Sequence, residues 1–151
     1  MKRIWIYQAD RIFSQQESVQ ILERVGQFVS SWTAHGSALA GKGYVKYDLF
    51  LIFEVDEEQA GVTGCSIDKS VHFIKSLEQA FDIGFFDRLK IAYRDAEHRI
   101  QLVDRSEFKE LIRSGIVHSE TIVFNNILTE ASEIESKWEI PFQESWHSKI
   151  F

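Results

Sequence analysis

The chain has 151 residues, the size of one ordinary domain, and 44% of them are apolar, enough to build a sizeable core. A net charge of −6 opposes binding to a phosphate backbone. The longest apolar run, Leu49–Phe53, is far short of the roughly 18 residues of a membrane span. The N-terminus MKRIWIYQAD reaches charge at once and lacks an apolar signal segment, and a single cysteine excludes an internal disulfide. The expectation is one soluble cytoplasmic domain over residues 1–151, with residues 138–151 as an extended tail packed on it.

Ile4–Gln8 reads as a strand, being short, apolar and β-branched or aromatic. Ser14 and Glu17 have capping-box spacing, and Ile21, Leu22, Val25, Phe28, Val29 and Trp32 then repeat on one helical face. The glycines at 36, 41 and 43 predict a flexible connection after this helix. Tyr44–Val55 reads as one long strand ended by the acidic turn Asp56-Glu57-Glu58. Ala60–Gly64 is either a short return strand or loop. Ser66 and Asp68 offer capping oxygens for a second helix, whose inner face is Ile67, Val71, Ile74, Leu77 and Phe81, with Gly84 at its C-cap.

Leu89–Tyr93 and Arg99–Val103 predict a hairpin turning at Asp95–His98. Asp104 and Glu107 resemble a capping box for a short helix closed by Gly115, and Thr121–Phe124 follows as a strand. Thr129–Glu135 predicts a short helix. The order implies an α+β fold, a mixed sheet with helices packed on it; the alternative is an α/β, partly parallel open sheet. In the parallel case a site would lie at the strands' carboxyl ends, beside Cys65–Asp68. In the α+β case Cys65 turns inward and is mostly buried.

Few residues suggest chemistry. Gly36–Gly43 imitates a phosphate-binding loop, but Gly43 stands where Ser or Thr would hold magnesium, and the stretch precedes a strand rather than a helix, so ATP hydrolysis is rejected. Cys65, placed before a helix N-terminus and near Lys69, has the setting of an activated thiol, with Ser66 as an oxyanion donor and His98 as the better placed base. The plainer readings are a small buried cysteine and a solvated turn histidine. Trp32 and His35, with Trp146 and His147, could line a binding pocket, though tryptophans at such positions more often belong to a core. No spacing suggests a metal site, and no cofactor is expected.

With GCSIDKS at Gly64–Ser70, WTAHG at Trp32–Gly36, and WEIP and SWH in the tail, nearly the whole chain resembles a family of small uncharacterised bacterial proteins often labelled "ABC transporter ATPase". The resemblance implies no activity, and neither an LSGGQ-like signature nor a complete phosphate loop supports the label. Two functional readings follow. The first is a non-catalytic module that binds an unknown small molecule or protein, a homo-oligomer being one form of this, without nucleic acid or membrane. The second is an enzyme that uses Cys65 for thiol or acyl-transfer chemistry.

Overall fold

The structure, a computed structural model, describes every residue except His35, Gln59 and Arg88. The fold is α+β, and every strand pairing described is antiparallel. The chain forms two compact units, residues 1–86 with 129–131, and residues 87–128 with 132–151.

The first unit opens with β1 (Lys2–Gln8) and α1 (Gln15–Ser31), whose N-terminus carries the expected capping box. Ser14 Oγ accepts from Glu17 N–H, and the Glu17 carboxylate accepts from Ser14 N–H. Then come the two-residue strands β2 (Thr33–Ala34) and β3 (Ser37–Ala38), then β4 (Ala40–Lys46), β5 (Phe50–Asp56) and α2 (Gly64–Phe81). The sheet order is β1-β5-β4, and both helices pack on the face that carries Phe53, α1 through Phe28 and α2 through Phe73. Phe28 stacks on Phe73 with ring centroids 4.5 Å apart, and Phe53 and Trp32 meet edge to face beneath them.

The predicted flexible connection is a strand instead. Gly41 and Gly43 lie in β4 because α1 crosses it closely: a Cβ at Gly41 would come 3.1 Å from Trp32 Cε3, and one at Gly43 would collide with Val25 Cγ1. The predicted long strand Tyr44–Val55 is likewise two strands, broken by Tyr47 and Asp48, both left-handed with φ of 57° and 52°. No glycine marks this turn. Asp48 secures it by accepting from Ser18 Oγ at 2.7 Å and from Gln15 Nε2 at 3.2 Å, while its carbonyl accepts from Phe13 N–H at 2.7 Å.

Arg11 ties the far ends of the two helices together. Its guanidinium pairs bidentately with Glu17, at 2.7 and 2.9 Å, and donates to the carbonyl of Phe81 at 2.7 Å, where the C-terminal end of α2 welcomes positive charge. The hydrogen bond from Arg11, then that from Ser14 N–H, holds the Glu17 carboxyl at about 2. The C-cap of α2 is Asp82, left-handed at φ 53°, rather than Gly84. Gly84 instead donates its N–H to Asp10 Oδ1 at 2.9 Å, close enough that a side chain there would strike the carboxylate.

The second unit contains β6 (Lys90–Arg94), β7 (Ile100–Asp104), α3 (Arg105–Arg113), β8 (Ile122–Phe124), α4 (Ile134–Lys137) and β9 (Glu139–Pro141), with sheet order β7-β6-β8-β9. Asp104 caps α3 as expected, accepting from Glu107 N–H at 2.8 Å. In the β6–β7 turn, Asp95 accepts from Gln101 Nε2 and from the N–H groups of Arg99 and Glu97. These bonds, Gln101 first, lower its pKa. His98 closes the turn with φ 63°, a conformation histidine tolerates better than most residues. Phe108 is the hub of this core, in ring contact with Tyr93, Phe142, His147 and Phe151.

Candidate functional site

Two expectations about the start of α2 are corrected. Ala60–Gly64 forms no strand, so nothing turns Cys65 inward, and Cys65 is exposed at the second position of the helix. The N-cap is Thr63 rather than Ser66 or Asp68. Thr63 Oγ1 accepts from Ser66 N–H at 3.2 Å and Ser66 Oγ accepts from Thr63 N–H at 2.8 Å, so Ser66 completes the box from the third position. Asp68 lies further along the helix, exposed and outside the cap. The buried Ser66 also lends its carbonyl to Trp32 Nε1 at 2.8 Å, which anchors the start of α2 to the end of α1.

His98 is exposed in the second unit, its carbonyl accepting from Arg94 at 2.7 Å. Trp32 is 2% exposed and packed among Trp5, Phe28 and Phe53. His35 lies outside the described residues. Trp146 and His147 do meet, their rings stacked at 3.8 Å, inside the second unit. Burial pushes the His147 imidazole down to about 4, and its Nδ1 lies 3.2 Å from Ser145 Oγ. That hydroxyl donates to the Phe142 carbonyl and accepts from His147 N–H, a helix-start arrangement rather than a nucleophile held by a base. Trp146 Nε1 is enclosed without a hydrogen-bond partner. Among the described residues no three His, Cys, Asp or Glu side chains gather as a metal site would require, and no helix is long and apolar enough to cross a membrane.

The feature that stands out includes Leu22 and Val29, which the sequence assigned to the packed face of the first helix. Of the predicted inner face of α1, Ile21, Val25 and Trp32 are buried, but Leu22 is 47% exposed, and Val19 one turn earlier is 66% exposed. With Gly26 and the half-buried Val29 they form an uncharged strip at the spacing 19, 22, 26, 29. Phe28 and Arg24 mark the opposite flank, since they reach the α2 residues Phe73 and Phe81. The strip therefore faces away from α2, on the side of β4, which α1 overlies. There β4 ends the sheet and, among the described residues, pairs only with β5. A seven-residue strand edge without a described backbone partner, about 23 Å long, thus runs beside an apolar helix flank about 15 Å long. Tyr44 is half-buried on this strand, its phenol raised above the usual range by burial and then by Glu54.

The sequence signal for this surface was present but ambiguous. Val19, Ile21, Leu22, Val25 and Val29 cover an arc wider than one packed face, and a wide arc alone does not say which side stays open. Comparison with family models, with curated proteins and with solved structures returned no match.

Proposed function

We propose that this protein is a binding module that works through the open edge of β4 and the adjoining flank of α1. The observation that supports it is the side-by-side position of a strand edge without a partner among the described residues and an exposed, uncharged apolar strip. Strand addition supplies affinity through main-chain hydrogen bonds, and the neighbouring apolar side chains supply selectivity. Left bare, such an edge is a liability, which proteins ordinarily blunt or cover. The test compares the wild-type chain with Val19→Glu/Leu22→Glu as baits in native extract, by quantitative mass spectrometry and cross-linking. Both positions are exposed, so the variant keeps its fold. Association that is lost in the double variant supports the reading, and identical profiles for the two baits refute it.

A second reading has its own support. The exposure of Cys65 at the start of α2 favours thiol chemistry over a buried structural cysteine. Iodoacetamide labelling followed against pH, with Cys65→Ser as the blank, tests it. A rate at pH 6 no faster than that of a short peptide thiol ends the enzyme reading.

A further inference from the structure

We infer that the occupant of the surface formed by β4 and α1 is an extended segment of a partner protein in which acidic and apolar residues alternate, added as a strand along β4. The inference rests on the binding-module reading and names the chemistry of its partner. Side chains alternate between the two faces of a strand. Gly41 and Gly43 lie on the face toward α1, where Trp32 and Val25 come close to them, and Val45 shares that face. Lys42, Tyr44 and Lys46 therefore share the other.

An incoming strand alternates in the same way. On one face its side chains lie along Val19, Leu22 and Val29 of α1, and on the other they lie beside Lys42, Tyr44 and Lys46. The two sets match in length: the strip spans about 15 Å and the two lysines stand about 13 Å apart, so one short segment meets both. They also run together. Trp32 adjoins Gly41, Val25 adjoins Gly43, and Ser18 bonds Asp48 just past the end of β4.

Charge selects the acid. The strip carries no charge, and the only charges in β4 are Lys42 and Lys46. Both lysines are exposed, and among the described residues neither has an ion-pair partner. Glu54 stands opposite Lys42 on β5 but pairs with Lys2, at 3.9 Å. Lysines on an edge strand keep other strands away, because an apolar neighbour desolvates the ammonium and a basic one repels it. A carboxylate opposite removes that cost, so the edge stays open to acidic strands. Neither proline nor a break in register protects β4 otherwise. A second copy of the chain offers only lysines at this edge, and its own α1 would crowd the first. The net charge of −6 repels an acidic segment at long range, but physiological salt screens charges beyond about 8 Å and leaves the adjoining lysines in control.

Fluorescence anisotropy of labelled peptides with the whole chain is the test. The probes are SVEVTVEVS, its basic counterpart SVKVTVKVS, and SSESTSESS, which keeps the acids and lacks the apolar side. SVEVTVEVS is expected to bind on the order of tenfold more tightly than either control and to slow hydrogen exchange at the β4 amides. In Lys42→Glu/Lys46→Glu, with an unchanged circular dichroism spectrum, the order of the acidic and basic peptides is expected to invert. Equal binding of SVEVTVEVS and either control overturns the inference, as does a preference for acid that survives the charge reversal. So does a dimer of the chain that dissociates in Leu22→Glu, which would put a second copy on this surface. If no peptide binds while the Val19→Glu/Leu22→Glu bait still loses a foreign protein, the acidic-strand inference fails and the binding-module reading stands. If no peptide binds and the baits are identical, both fail.

Discussion

The two units solve the same packing problem with different parts. The first uses helices of 17 and 18 residues laid on a three-stranded sheet, so its core is spread along element faces. The second has helices of nine and four residues and short 3-10 turns, gathered around the single ring of Phe108. A long helix has more circumference than a narrow sheet and one neighbouring helix can cover, and α1 keeps an apolar flank in the open. Short segments turned around one ring enclose their polar groups, and the second unit buries a histidine. The first design leaves apolar side chains exposed, and the second encloses an ionisable one.

The largest effect expected is from Phe108→Ala. Removing a fully buried ring that four aromatic partners share costs about 3–5 kcal/mol. Hydrogen exchange at the β6 and β8 amides, with urea denaturation, checks it. A loss below about 1 kcal/mol would remove the hub role assigned to Phe108.

His147 is next. Its folded-state pKa of about 4 lies below the ordinary 6.5, so the unfolded chain takes up the proton first as pH falls. Stability is fully present above about pH 6.5 and declines toward pH 4, by up to about 3 kcal/mol. Urea midpoints across this range should fall in the wild type and flatten in His147→Phe. An equally steep wild-type and variant profile would place the acid sensitivity elsewhere.

Gly43→Ala tests the close crossing in the first unit. The added methyl meets Val25 and Phe53, and overpacking of this kind costs about 1–3 kcal/mol. Val25→Ala in the same chain should recover part of the loss, since it vacates the space the new methyl needs. Additive losses in the double variant would mean that contact between these residues does not set the helix–strand distance.

The smallest effect belongs to the exposed knot of Arg11 and Glu17. The Glu17 carboxyl is lowered from its ordinary 4.5 to about 2, so its contribution is present above pH 4.5 and is lost as pH falls toward 2. Glu17→Gln should therefore lower the thermal midpoint slightly at neutral pH and match the wild type near pH 2. Solvent screening keeps this effect below the other three.

Much of this architecture is local chemistry, and the sequence by itself determined it. The box at Ser14–Glu17, the Asp104 cap of α3 and the hairpin turn at Asp95–His98 depend on neighbours within a few residues, so short-range spacing suffices to read them. The α+β class rests on antiparallel pairing of distant strands such as β1 and β5. The tertiary structure decided what spacing cannot reach. The turn at Tyr47–Asp48 is held by Ser18 and Gln15 of α1, which bond the Asp48 carboxylate; aspartate tolerates the left-handed backbone there, but its local preference alone does not mark the break. Gly41 and Gly43 are strand residues because a helix lies on them, although glycine in sequence signals a loop. The start of α2 at Thr63 leaves Cys65 exposed, and the same oxygen-rich stretch could have capped a turn later. Leu22 is outside the core because the sheet ends at β4, and the width of a sheet is set by long-range pairing that no single helix encodes.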